Sequence, residues 1–304
     1  MPRSRVIASL ATAALAAGCG FAAAQSAIAQ TTSHPSPTIT IGSTNFGEQV
    51  IIANLYADAL KQVGIKTNLR VNLGTRKSVE PALEAGALDL YPDYAGSLLI
   101  FLAPKDTKKA TQLSTDIPAL NAALGKKGAE VLTPAPAVDQ NVFAVTKQTA
   151  SKYHLHNLSG LKGVAKKLTL GAPPECSSYY YCLPGLEQVY GIHFGNVVTT
   201  DESGPTTVAY LRNGRVQVAE LFSSDGAIAQ YGFVQLADDK HLQPADHVVP
   251  VIRKSVATPV VVKALDSLSA KLTTEQLQKL NLEVSTTHVD PSVAAEKWFK
   301  AERL

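Results

Sequence analysis

From Thr38 to the C-terminus, short apolar runs alternate with stretches whose apolar residues recur every three or four positions. The first rhythm predicts strands and the second amphipathic helices. Ile39–Ser43 reads as a strand, and Asn45 with Glu48 three residues on reads as the reciprocal cap of a helix. That helix carries Val50, Ile51, Leu55, Leu60 and Val63 on its face, and Gly64 ends it. A strand over Leu69–Leu73, a helix over Val79–Ala85, a strand over Leu88–Tyr91 and a helix over Tyr94–Leu102 follow. Beyond a polar stretch after Pro104, the proline of Pro118–Leu124 suits a first helical position and Gly125 a stop. Val131 leads into a Pro/Ala loop, and Asn141–Val145 reads as a buried strand.

A second alternating set begins at Leu168. It runs through strand Leu168–Gly171, a cysteine-bearing loop, helix Gly185–Tyr190, strand Asn196–Thr200 and helix Thr206–Leu211. Strands Val216–Phe222 and Gly232–Leu236 follow, and Val248–Val251 is apolar again. The rest is helical: Val261–Leu272, Thr274–Leu282 and Pro291–Ala301. Such alternation predicts mostly parallel sheets with helices on both faces. Two sets imply two α/β lobes, crossed by the chain near Val138–Val145 and His247–Val251. There is no repeat at solenoid periods and no heptad run.

Composition narrows the class. The 304 residues are 45% apolar and 17% charged, enough for a substantial core. At roughly 100–200 residues per domain, that length accommodates two globular units. The formal charge is +3, and Arg3 and Arg5 lie in the first thirty residues, where there is no acid. The remainder holds 26 basic against 25 acidic residues, with no electrostatic footprint for a nucleic acid.

The start of the chain reads as an export signal over residues 1–29. Two arginines precede the small and apolar run Val6–Ala17, which is too short to span a bilayer. Two processing routes compete. Ala22-Ala23-Ala24 and Ala27-Ile28-Ala29 offer small-x-small cleavage sites. Leu15-Ala16-Ala17-Gly18-Cys19 resembles a lipobox whose leucine lies one residue too far upstream, and Cys19 would carry the lipid. Residues 30–37 would then serve as a tether. With Cys19 removed or lipidated, Cys176 and Cys182 remain. In an exported chain this close pair reads as a small-loop disulfide, because C-x5-C is not a zinc spacing and no second ligand pair accompanies it.

Catalytic signals are scarce. The chain has no P-loop, no G-x-G-x-x-G after the first strand, no H-E-x-x-H and no G-x-S-x-G. His154 and His156 stand in a polar loop without a carboxylate at ligand spacing, and Asp238-Asp239 beside Lys240 reads as a turn. No metal or cofactor is called for, and binding is favoured over catalysis.

Several segments carry a resemblance. Ile41-Gly42-Ser43-Thr44-Asn45-Phe46-Gly47-Glu48-Gln49 is similar to the G-S-K-N-F-x-E-Q opening of the osmoprotectant-binding proteins of ABC importers, the glycine betaine/choline type. Leu88-Asp89-Leu90-Tyr91-Pro92-Asp93-Tyr94-Ala95-Gly96-Ser97 resembles their D-L-Y-P-E-Y-T-G-T segment. Cys182-Leu183-Pro184-Gly185-Leu186-Glu187, the run Phe222–Asp225 and the stretch from Asp238 to Pro250 match in order, so the likeness spans Thr38 to Phe299. It implies a two-lobe periplasmic-binding-protein fold (type II-like) with a ligand cleft between lobes and two crossing segments. Residues 38–138 with 248–304 would form one lobe and 139–247 the other. It also implies partners: a small quaternary ammonium ligand, an ABC permease and its separate ATPase. The chain would be a monomer, touching the membrane only through a lipid anchor.

The family holds quaternary ammonium groups in a box of aromatic rings, since such a cation has no N–H to donate. By the resemblance Tyr94 is the first wall, with Ser97 a turn later. Phe143 beside Asn141 is the second wall and Phe222 the third, although both phenylalanines also suit core packing. Tyr91 is an extra wall or packing, and Tyr179-Tyr180-Tyr181 an aromatic lid or a surface loop. Three departures stand out. Thr44 replaces a frequent lysine, Tyr179 a frequent arginine, and Asp246 falls near the fourth box tyrosine. Two positive charges are lost and a negative one gained, which predicts a cation without a carboxylate, choline being the simplest. The same fold with specificity drifted to an aromatic or uncharged solute is the alternative.

Overall fold

The computed structural model describes residues 38–103 and 112–304. The signal segment, the tether, Cys19 and the polar stretch after Pro104 lie outside the described residues. In chain order the elements are β1 (Ile39–Gly42), α1 (Gly47–Gln62), β2 (Thr67–Arg70), α2 (Arg76–Glu84), β3 (Leu90–Tyr94), α3 (Ala95–Leu102), α4 (Leu113–Gly125) and β4 (Ala129–Val131). Then come β5 (Asn141–Val145), α5 (Lys147–Tyr153), β6 (Thr169–Ala172), α6 (Leu183–Gly185), β7 (Asn196–Thr199), α7 (Pro205–Arg212), β8 (Val218–Phe222), α8 (Gly226–Tyr231) and β9 (Val234–Gln235). β10 (Val248–Arg253), α9 (Pro259–Ser269), α10 (Thr274–Thr287) and α11 (Pro291–Ala301) complete the chain.

The strands form two five-stranded sheets, ordered β2-β1-β3-β10-β4 and β7-β6-β8-β5-β9. Both are mixed, which corrects the mostly parallel expectation. β1 pairs in parallel with β2 and β3, but β10 runs antiparallel to β3, with Val248 opposite Tyr94, and to β4. In the second sheet β6 is parallel to β7 and β8, while β5 is antiparallel to β8, with Asn141 opposite Phe222. The crossing explains this. β4 leads towards it and β10 leads away, so the two run in opposite senses. The two crossing segments lie side by side, with Val138 bridged to His247 and the Asp139 N–H donating to the Asp246 carbonyl at 3.0 Å.

Helices cover both faces of each sheet. α1 is buried on nearly every side between the first sheet and the C-terminal helices, as its lack of a polar face demands. Val79, Leu83, Leu98, Leu120 and Leu124 close the other face of that sheet. Phe143, Leu155, Leu170, Leu186 and Val218 fill one side of the second sheet, and Val142, Ala144, Leu211 and Leu221 the other. Gly226 marks a close approach, since a Cβ there would lie 2.8 Å from the backbone of Leu282 on α10.

Local expectations fail where side chains have a second use. Asn45 and Glu48 do not form the cap of α1: Phe46 occupies the N-cap, and the Glu48 carboxylate turns inward. Pro118 lies inside α4, which starts five residues earlier in a polar stretch. The segments that form β4, α5 and α8 were not marked as elements by their apolar patterns.

Candidate functional site

A cleft of about 620 Å³ opens where the strands of both sheets end. The chain leaves β1 through Thr44 and Phe46, β3 through Tyr94, β6 through Pro173 and β8 through Phe222, and all of these line it. Ligands bind at the carboxyl ends of such strands because the turns there are not committed to the sheet.

Three rings meet across the cleft. Phe46 stands edge-on to Tyr94 at 6.4 Å and to Phe222 at 5.8 Å between centroids. Tyr179, 42% exposed, adds a fourth ring on the second-sheet side. Tyr94 is anchored through its hydroxyl. Its hydroxyl donates to Glu48 Oε1 at 2.8 Å, and Asn281 Nδ2 donates to Glu48 Oε2 at 2.6 Å. Asn281 also donates to the Ser224 carbonyl at 3.0 Å, so α10 ties the end of β8 to the wall that carries Tyr94.

Acidic groups dominate the lining. Asp139, Glu175, Glu202, Glu220 and Asp246 all face the cleft, against Arg76 alone among basic residues of the described chain. Arg76 is already committed, since its guanidinium grips both carboxylate oxygens of buried Asp93 at 2.5 and 2.9 Å. Burial works against the Arg76 charge, but Asp93 more than compensates and holds its pKa above the ordinary value. Asp246 accepts from the Ser97 N–H at 2.6 Å and from Ser97 Oγ at 2.8 Å. Burial still pushes it up to about 6, against those bonds and the field of Arg76. Burial, then the neighbouring Glu48, raises Asp139 well above the carboxylate range, although Ser224 Oγ donates to it at 2.6 Å. Glu220 is pushed up to about 7, first by burial and then by Glu202 and Glu175. Burial thus raises Asp139, Glu220 and Asp246 alike, and a cation placed among them would favour their ionised forms.

Of the residues singled out from sequence, Thr44, Tyr94, Ser97, Asn141, Tyr179, Phe222 and Asp246 line the cleft. Thr44 Oγ1 is occupied locally, donating to Gln49 Oε1 at 2.9 Å. Phe143 does not line it, which corrects the assignment of that ring as a wall. Asn141 sits at the start of β5, where the sheet gives way to the cleft. Two residues on, Phe143 is 1% exposed and packed with Leu155, Leu170 and Leu186. Tyr91 is likewise core, packed among Val79, Leu83 and Leu98. The tyrosine triplet divides: Tyr179 faces the cleft, whereas Tyr180 and Tyr181 pack into the second lobe's core. Cys176 and Cys182 form a disulfide with Cα atoms 5.1 Å apart. Glu220 lies beside the sulfurs, but their linkage removes the thiolates that a metal would need.

Sequence reasoning missed Phe46, Arg76, Asp139 and Glu220. Phe46 lay inside the opening segment that carries the resemblance. Asp139 stood at the crossing already located. For Arg76 and Glu220 no local signal existed.

Comparison with known proteins agrees with this architecture. Residues 37–301 match the family model described as the substrate binding domain of an ABC-type glycine betaine transport system. The glycine betaine-binding protein YehZ of Escherichia coli is 28% identical over 275 residues, which cover 86% of this chain and 90% of that one. The carnitine transport binding protein OpuCC of Listeria monocytogenes is 28% identical over 287 residues, 86% of each chain. The crystal structure of a glycine betaine/carnitine/choline ABC transporter superposes with a TM-score of 0.81 at 26% identity, covering 87% of this chain and 98% of that one. The family match runs through both sheets, the crossing and every wall of the cleft. This chain therefore belongs to the OpuAC family, the solute-binding proteins that serve ABC importers outside the cytoplasm, and it is a carrier, not an enzyme.

Proposed function

We propose that the cleft takes a quaternary ammonium cation without a carboxylate, choline being the simplest, and hands it to an ABC permease powered by a separate ATPase. The observation that carries this reading is the excess of buried carboxylates over the single, already paired Arg76. Phe46, Tyr94, Phe222 and Tyr179 supply ring faces, each worth about 0.5–2 kcal/mol to a cation held over it. Asp246 and Asp139 supply the counter-charge. The carboxylate of glycine betaine would meet those groups without a free cation to answer it. Residues 38–138 with 248–304 and residues 139–247 act as two bodies about the paired crossing, and a ligand touching both stabilises the closed arrangement the permease reads.

Upstream, the segment before Cys19 acts as the export signal, Cys19 takes the lipid, and the stretch from Cys19 to residue 37 tethers a monomeric carrier to the membrane face. No helix among the described residues is long and apolar enough to cross a membrane. Native mass spectrometry of the mature chain in an equimolar mixture of choline, glycine betaine and carnitine tests the ligand class. Choline retained in preference supports the reading, and preferential retention of either zwitterion overturns it. Loss of membrane association in a Cys19→Ala variant tests the anchor, and association unchanged refutes it.

A further inference from the structure

Glu220 is hard to account for as structure. It lies on β8, the central strand of the second sheet, between Val218 and Phe222 on the same face. Deeper on that face Val218 is core, in one cluster with Phe143, Leu170 and Leu186, while Phe222 opens onto the cleft. The residue is 7% exposed, and its carboxylate lines the cleft. The one atom within hydrogen-bonding distance among the described residues is Cys182 Sγ at 3.3 Å, which carries no proton in the disulfide. A buried carboxylate with neither donor nor cation is costly. Its charged neighbours make matters worse, because Glu202 and Glu175 both raise its pKa and no basic group lowers it.

This acidic wall is separate from the one around Asp246. Asp246 responds to Ser97, Arg76 and Asp93, and Glu220 to Glu202 and Glu175. Tyr179 lies within the fields of both. An aromatic box with Asp246 answers a quaternary ammonium head, but such a head has no N–H and would leave Glu220 without a partner.

We propose that Glu220, flanked by Glu202 and Glu175, is a second cation subsite that takes a protonated N–H group at the far end of the ligand. The preferred ligand is then a dication with a quaternary ammonium head and an ammonium or amidinium tail. The inference rests on the carboxylate-free cation proposed above and extends it to the other wall.

The test uses calorimetry of the mature chain at pH 8 with paired probes. These are hydroxyalkyl- and aminoalkyl-trimethylammonium ions with three to six methylenes, alongside choline. At the best chain length the amine is expected to bind at least tenfold tighter than the alcohol. Glu220→Gln collapses that ratio to near unity, and Glu202→Gln lowers it by a smaller factor. The ratio is the readout, so a general change in affinity does not imitate the result. Glu202→Gln serves alone if thermal melting shows that Glu220→Gln fails to fold. No amine preference at any length, or a preference that survives both substitutions, overturns the subsite. Choline binding without amine preference sinks this inference and leaves the proposed function standing. Amine preference without choline binding does the reverse.

Discussion

Replacing Asp246 by Asn removes one negative charge from the cleft while keeping an oxygen to accept from the Ser97 N–H, now at 2.6 Å. Two effects of opposite sign follow. In the free protein the ionised carboxylate is a burden: its pKa is raised to about 6 from an ordinary 3.8, mainly by burial. Two units correspond to about 3 kcal/mol of stability withheld at pH 8. Asn avoids that penalty, so the free variant should melt several degrees higher than the parent at pH 8, after some loss from the Ser97 Oγ bond. In the complex the same carboxylate is an asset. A cation about 5 Å away at an effective dielectric of about 20 is attracted by roughly 3 kcal/mol, and partial solvation reduces this to about 1.5–3 kcal/mol. The choline Kd should therefore rise by about 10- to 100-fold, measured by calorimetry at pH 8. The glycine betaine Kd should rise much less, because its carboxylate is freed from a repulsive neighbour. A variant that binds choline as tightly as the parent, or that melts lower at pH 8, would refute the assignment of Asp246 as the cation's partner.

Phe222→Ala should weaken choline binding by about 3- to 30-fold, the range of one good cation–π contact, with little change in melting temperature. Phe143→Ala should instead destabilise the chain by about 3–5 kcal/mol in chemical denaturation, because its ring is buried in the second lobe's core. Equal effects of both on binding would show that Phe143 lines the site after all. The pH dependence follows from the raised carboxylates, Asp246 to about 6 and Glu220 to about 7. Their folded pKa values lie above the unfolded ones, so the folded state holds more protons between about pH 4 and 7. The penalty is complete above pH 7 and is relieved as pH falls. The free protein should melt higher at pH 5.5 than at pH 8, and the stabilisation conferred by saturating choline should be larger at pH 8; a reversed order of either would contradict these shifts.

Legibility in the sequence followed how local the cause of each feature was. Strand Asn141–Val145 and helix Pro291–Ala301 were read to their ends, because apolar run, proline and cap lie within one element. The antiparallel course of β10 was not, since its direction is set by where the crossing returns. The cleft divides in the same way. Tyr94, Ser97 and Asp246 were legible through long segments similar to a known family, and the bond between Asp246 and Ser97 spans 149 residues of sequence. Phe143 misled because alternation puts it on the same face of β5 as Asn141, and only depth along the strand separates cleft from core. Glu220 sits in Val218–Phe222, a segment that reads as plain core strand. Its meaning appears only when Glu175, after β6, and Glu202, after β7, are brought beside it. Arg76 likewise acquires its role from Asp93, seventeen residues away.

The central claim is that the cleft selects a positive charge and rejects a carboxylate. Parallel calorimetric titration of the mature chain with choline and with glycine betaine at pH 8 tests it most directly. Choline is expected to bind at least tenfold tighter. Glycine betaine binding equal to or tighter than choline would contradict it, and would mean that Arg76 leaves Asp93 to receive the ligand's carboxylate.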